Sequence, residues 1–170
     1  MRPIRCTICG ETYIGRETPD RCPFCGVDGS YLADAAEYVD YDGMELSEQS
    51  QEFIRKAIEI EKSNVAYYEC SAEKAQNEVR RALFKRIAKH EGEHMELLCD
   101  HLGVEEPEIE PEDCSDEDAE NMQNAQGRED RAVKLYMSFA ARAEEPRIKE
   151  IFSAIAGIEQ EHYRLFTSFA

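Results

Sequence analysis

The chain has 170 residues, 42% of them hydrophobic, and a formal net charge of −17 at neutral pH. Its 37 acids against 20 bases argue against nucleic acid as a partner, because a phosphate backbone needs a basic surface. No apolar run approaches the roughly 18 residues that span a bilayer, and the opening Met1-Arg2-Pro3-Ile4-Arg5-Cys6 carries no apolar signal segment. A soluble, cytoplasmic protein without a membrane partner is expected.

Residues 1–33 are poor in helical pattern and rich in turn formers, among them Gly10, Pro19, Pro23 and Gly26. That is the chemistry of a small unit wrapped around a metal. Cys6-Thr7-Ile8-Cys9-Gly10 and Cys22-Pro23-Phe24-Cys25-Gly26 are two CxxCG knuckles separated by 12 residues. This spacing predicts a tetrahedral four-thiolate site made by Cys6, Cys9, Cys22 and Cys25. Gly10 and Gly26 let the backbone turn tightly behind each pair, so that amides can face the sulfurs. The spacing leaves structural zinc and redox iron both open. Residues 34–46 read as a linker closed by Asp42-Gly43. Three other cysteines, Cys70, Cys99 and Cys114, have no partner at ligand spacing and are expected to be free thiols.

From residue 47 to residue 170 the pattern is helical. Ser47 is placed to cap a first helix whose stripe runs Phe53, Ile54, Ala57, Ile58, Val65 and Tyr68. The stripe breaks near Gln76-Asn77. A second helix, carrying Phe84, Ile87 and Leu98 on one face, stops at Gly103. Ser115 with Asp118 resembles a capping box that opens a third helix, and Pro146 sits where a first-turn proline would open a fourth. Between the second and third helices, Val104 to Glu120 holds ten acids and no base, which reads as a solvated loop. The connection from Leu102 to Ser115 is longer than the two to eight residues that neighbouring bundle helices need, so it is expected to cross over along the bundle.

The second helical pair repeats the first at an offset of 68 residues: Glu61 to Tyr68 aligns with Glu129 to Tyr136, and Glu91-Gly92-Glu93-His94 with Glu159-Gln160-Glu161-His162. Charges normally avoid the apolar stripe, yet Glu61, Glu91, Glu129 and Glu159 lie on it, one per helix. His94 and His162 each follow a stripe glutamate by three residues and share its face. Four buried carboxylates would cost several kcal/mol each unless two divalent cations neutralise them. Glu61 and Glu91 are 30 residues apart, as are Glu129 and Glu159, so in each antiparallel hairpin the ligands meet about 22 Å from the turn. One Glu-x-x-His arises often by chance; two at matched levels do not. Glutamates from two helices and Glu-x-x-His from the other two form the di-iron or di-manganese arrangement of ferritin-like bundles. Tyr68 and Tyr136, seven residues beyond Glu61 and Glu129, are either ordinary core tyrosines or hydrogen-bond donors to ligand carboxylates.

Together the two sites resemble the rubrerythrin family over nearly the whole chain. The order, with the four-cysteine module first, is similar to that of the reverse rubrerythrins. Tyr136-Met137-Ser138-Phe139-Ala140 resembles a signature of the family, and the two Glu-x-x-His motifs match. Typical members carry a second glutamate three residues from the helix-three ligand. Here Arg128 and Arg131 flank Glu129, and Ala125, Gln126, Ala132 and Val133 lie one turn away, which leaves a symmetric six-ligand site.

The resemblance implies a mainly α fold: a rubredoxin-like iron module, then a ferritin-like di-iron bundle with a long crossover. It implies iron at both sites, and a peroxidase that reduces hydrogen peroxide to water with electrons from an external reductase. A di-iron oxidase or ferroxidase acting on oxygen is the alternative, and a zinc-ribbon interaction module on a structural metal bundle is a third. The linker spans at most roughly 45 Å, and a module at the end of its own bundle would sit far from the di-metal level. A homodimer or higher homo-oligomer is therefore expected, with the cysteine iron of one chain serving the carboxylate site of another.

Overall fold

The computed structural model describes residues 1–41 and 43–169. Asp42, expected to help close the linker, and Ala170 lie outside the described residues. The first fifth holds a three-stranded antiparallel sheet in which β1 (Arg2–Cys6) lies between β2 (Thr12–Gly15) and β3 (Leu32–Asp34). So small a sheet has little stability alone; its work is to present the knuckles. Each knuckle closes on itself: the Gly10 amide donates to the Cys6 carbonyl at 3.0 Å and the Gly26 amide to the Cys22 carbonyl at 3.1 Å. Both glycines take φ of 78°, the left-handed conformation that glycine adopts without steric cost. The expected linker begins with order, for Asp34 caps a short turn over Ala35–Glu37.

Four helices follow: α1 (Glu48–Lys74), α2 (Glu78–Leu102), α3 (Asp118–Arg142) and α4 (Pro146–Ser168). Ser47 Oγ accepts the Ser50 amide at 3.2 Å and caps α1. Gly103, at φ 70°, ends α2. Pro146 opens α4. The start of α3 differs from expectation. Its cap residue is Glu117, without a side-chain cap bond. Ser115 Oγ instead accepts the Glu117 amide and donates to Glu120. Asp118 turns away from its own helix to accept the amides of Gln76 and Asn77, each at 3.1 Å. Those two donors close the α1–α2 turn, and Arg80 balances the carboxylate, so the acid satisfies another helix pair's exposed donors.

Between α2 and α3 the chain runs back along α1. Ile109 packs on the core, Glu112 accepts from Ser63 Oγ at 2.9 Å and pairs with Arg128, and Cys114 joins Cys70. The crossover therefore spans the bundle, and two acids of the run from Val104 to Glu120, Glu112 in the crossover and Asp118 at the start of α3, are structural rather than simply solvated. The expectation of three free thiols is corrected here. Cys70 and Cys114 form a disulfide with Cα atoms 5.9 Å apart, because the return path lays Cys114 beside α1. Only Cys99 of the three is free; it is buried, and burial pushes its thiol up to about 11.

The apolar core falls into two layers. One contains Phe53, Ile54, Met95, Phe139 and Phe152; the other contains Tyr68, Phe84, Ile87, Met122 and Phe166. The first continues into the cysteine module through Ile8, Cys25 and Val27, which share a cluster with Ala154 and Ile158. Arg147 Nη2 donates to the carbonyls of Thr7 and Ile8 at 2.6 and 3.1 Å, and Arg86 donates to that of Pro23. The module thus lies against the α2–α4 flank of its own bundle, not at the bundle's end. The premise that distance demands a partner chain does not hold.

The disulfide closes a loop of 44 residues, and constraining an unfolded loop of that size stabilises by about 2–4 kcal/mol. Cys114→Ser should lower the free energy of unfolding in denaturant by about that amount while leaving bound iron per chain unchanged. An unaltered unfolding curve would mean that the bond contributes nothing.

Candidate metal centres

Glu61 on α1, Glu91 on α2, Glu129 on α3 and Glu159 on α4 meet at one level between the two apolar layers. All four, and His94, are fully buried, and His162 is 1% exposed. Every sequence-predicted bundle ligand is therefore in one place. Two groups share Glu91 and Glu159: Glu61, Glu91, His94 and Glu159 form one, and Glu91, Glu129, Glu159 and His162 the other, each with ligand atoms within 4.8 Å of one another. His94 Nδ1 lies 3.2 Å from Glu159 and 3.5 Å from Glu91; His162 Nδ1 lies 3.0 Å from Glu159 and 3.1 Å from Glu91.

The donor set fits a pair of divalent cations. Glu61 Oε2, both Glu91 oxygens, Glu129 Oε2, Glu159 Oε1 and His94 Nδ1 are buried without a hydrogen-bond partner. Buried polar atoms are ordinarily paired, and these face one another with only acceptors and imidazoles between them. Two dications would neutralise the four carboxylates and occupy those lone pairs. The donors, carboxylate oxygen and imidazole nitrogen, suit iron or manganese.

The protein's own electrostatics shows the strain of that arrangement. Burial first, and the neighbouring carboxylates second, push Glu61 and Glu129 well above the usual carboxylate range. Burial also pushes Glu91 and Glu159 up, but the facing imidazoles outweigh it and both end below that range. His94 is raised well above an ordinary histidine, and His162 to about 9; burial opposes both shifts and the surrounding glutamates overcome it. Protons on the histidines thus stand where cations would neutralise the cluster.

The outer ring of contacts is reciprocal. Tyr68 Oη on α1 donates to Glu129 on α3 at 2.5 Å, and Tyr136 Oη on α3 donates to Glu61 on α1 at 2.5 Å. Each tyrosine serves the ligand of the other hairpin, not the one seven residues before it. His94 Nε2 donates to the Cys25 carbonyl at 2.9 Å. This fixes the tautomer that leaves Nδ1 facing the carboxylates. His162 Nε2 lies 3.1 Å from His90 Nδ1, and the two rings stack.

His90 escaped the sequence reading, since its mate at the 68-residue offset is Ile158 and no repeat marks it. A signal existed: it stands one turn before His94 on the same face. Gly26 of the second knuckle lies between these mates, so close that a Cβ would come 2.9 Å from Ile158 and 3.0 Å from His90. The glycine is required there by its φ and by its neighbours.

At the other site Cys6, Cys9, Cys22 and Cys25 converge. Cys6 and Cys25 sulfurs are 3.9 Å apart and those of Cys9 and Cys22 3.8 Å. A tetrahedron of metal–sulfur bonds near 2.3 Å has edges of about 3.8 Å, so the sulfurs already stand at the corners.

A carboxylate-and-imidazole pair site inside four helices, joined to a tetrahedral thiolate site, defines a two-centre redox metalloprotein. Residues 5–32 match the rubrerythrin rubredoxin-like domain and residues 48–168 the ferritin-like domain. The chain belongs to the ferritin-like family, as a rubrerythrin-type member whose rubredoxin-like module comes first. These matches and the two donor sets give iron at both centres. The chain is 29% identical over 117 residues to reverse rubrerythrin-1 of Clostridium acetobutylicum, a match covering 61% of this chain and 63% of that protein. Less than two-thirds of that relative's length is therefore matched. A solved two-domain protein of Anabaena variabilis, containing DJ-1/ThiJ/PfpI-like and ferritin-like domains, shares the fold with a TM-score of 0.66 at 15% identity, over 80% of this chain and 46% of that one.

Metal must displace the histidine protons. At pH 7.5 anaerobic ferrous iron added to metal-free protein should release at least one proton per ion bound in the bundle, since His94, His162 and the raised Glu61 and Glu129 all give up protons to a metal, and affinity should rise with pH through the region near 9 where His162 loses its proton. An indicator in weak buffer reads the release. Iron uptake with no proton release and no pH dependence would contradict this charge balance.

Proposed function

We propose that the protein is a di-iron peroxidase, reducing hydrogen peroxide to water with electrons supplied through its rubredoxin-like centre by an external reductase. The observation that carries this reading is the hydrogen bond from His94 to the Cys25 carbonyl, which joins the two centres through one residue of each. The contact leaves a short bonded path from the cysteine centre to a bundle ligand, which favours an electron-delivering module over a purely structural one.

In this reading Glu61 and His94 would hold one iron and Glu129 and His162 the other, with Glu91 and Glu159 belonging to both groups. As ferrous ions the pair would supply the two electrons that, with two protons, convert one H2O2 into two waters. Tyr68 holds its proton at Glu129 Oε1 and Tyr136 at Glu61 Oε1, which orients the outer carboxylates. His90 keeps the His162 ring in place from behind. Cys6, Cys9, Cys22 and Cys25 hold the one-electron centre, and the packed α2–α4 flank keeps water away from the path between the sites.

Electrons pass within one chain in this proposal, since the module already touches its own bundle. Cys25→Ser should abolish turnover driven by a protein reductase, yet its chemically reduced bundle should still react with peroxide. Glu129→Ala should lose turnover while keeping the cysteine centre's visible spectrum. Mixtures of the two variants, with subunit exchange demonstrated, should stay inactive. Recovered activity would mean that modules are traded between chains of an oligomer. Reoxidation of the reduced wild-type protein should be faster with peroxide than with oxygen; the reverse order would favour the oxidase reading.

A further inference from the structure

The cysteine module covers the α2–α4 flank, but the opposite flank is open. There α1 and α3 meet more sparsely than the partners within either hairpin. Between them is a cleft of about 450 Å³, whose α1 wall includes Ser63 and Asn64 and whose α3 wall includes Arg128, Arg131 and Ala132. None of the candidate ligands lines it, but two of its residues are their close neighbours along the helices. Asn64 stands three residues beyond Glu61 and Ala132 three beyond Glu129, so each shares a helix face with a carboxylate of the site.

Asn64 and Ala132 are mates at the 68-residue offset, and both are 2% exposed. The two mates differ in chemistry: one side presents an amide, the other only a methyl group. Asn64 Oδ1 accepts from Arg128 Nη1 at 3.4 Å, while its Nδ2 has no hydrogen-bond partner among the described residues. The amide cannot be turned over, because that would set its NH2 against a guanidinium that only donates. Arg128 is itself fixed, bonded to Ser63 Oγ at 2.9 Å, paired with Glu112 of the crossover, and laid over the Tyr67 ring. A buried donor is thus held without an acceptor between the surface cleft and the helix level of the carboxylate cluster. An unpaired buried donor costs on the order of 1–3 kcal/mol.

We infer that this cleft is the entry for the oxidant, and that Asn64 Nδ2 binds it by donating a hydrogen bond to one of its oxygens. The inference rests on the peroxidase reading and deepens it. Peroxide oxygens accept hydrogen bonds well and dioxygen accepts them poorly, so the amide selects peroxide. Oxidant and electrons then reach the bundle from opposite flanks, and neither obstructs the other.

The test uses the iron-loaded full chain. Asn64→Leu keeps the side-chain size and removes the donor; Ala132→Leu fills the cleft. Stopped-flow reoxidation of the reduced bundle by peroxide should slow at least about fivefold in Asn64→Leu, with the oxygen rate within twofold of wild type and iron content unchanged. Ala132→Leu should slow both oxidants. Azide, titrated spectroscopically against the oxidised proteins, should bind about tenfold more weakly to both variants, a readout that stands whichever oxidant the wild type prefers. An unchanged peroxide rate in Asn64→Leu together with unchanged azide affinity would overturn the inference. A wild type that prefers oxygen, combined with weakened azide binding in the variants, would remove the peroxidase reading and leave the cleft as the entry.

Discussion

Four carboxylates withdrawn from water at a single level of a helical bundle set the terms for the rest of this structure. Glu61, Glu91, Glu129 and Glu159 are fully buried, and no arrangement of uncharged side chains could hold four such charges without a cost of several kcal/mol for each. The fold meets the demand with two imidazoles, two tyrosine hydroxyls and room for two cations. The two apolar layers above and below exclude water, which strengthens every charge–charge interaction in the layer between. The layered core and the metal site are therefore one solution: the hydrophobic layers supply the stability that a polar middle layer would otherwise remove.

The same level organises the surroundings. On the α2–α4 flank, the backbone of the second knuckle is part of the bundle site, since the Cys25 carbonyl fixes His94 and Gly26 leaves space for His90. Arg147, nearly buried, ties α4 to two carbonyls of the module. On the α1–α3 flank, the acidic crossover reaches the site indirectly: Glu112 fixes Arg128, and Arg128 fixes Asn64. The disulfide between Cys70 and Cys114 anchors that crossover on α1. A pseudo-symmetric pair of hairpins thus carries two different flanks, and the differences include mates of unlike chemistry, His90 against Ile158 and Asn64 against Ala132.

Periodicity made the helices legible, and the level of the ligands with them. A glutamate on an apolar stripe is conspicuous because helix geometry puts it where only a compensated charge can stay, and the repeat multiplied that signal. Cysteine spacing was equally plain, because a tetrahedral site needs two short loops. What remained illegible was placed by tertiary contact rather than by local pattern. Nothing in the sequence near Cys114 says that the crossover will run past Cys70. Asp118 carries the signature of a helix cap and serves a different turn. The docking of the module depends on a carbonyl and a glycine, and backbone groups leave no mark on residue type. Tyr68 and Tyr136 were found by their spacing, yet each bonds the opposite hairpin's ligand, a pairing that only the assembled bundle defines.

The buried carboxylate layer and the four-sulfur module are both iron centres in one chain. Iron and zinc per chain, measured on protein purified without added metal and read together with the visible spectrum, test it most directly. About three irons per chain are expected, with two in the bundle and one giving thiolate-to-iron absorption. Zinc at the cysteines with no visible absorption, or a bundle that binds no metal, would contradict it.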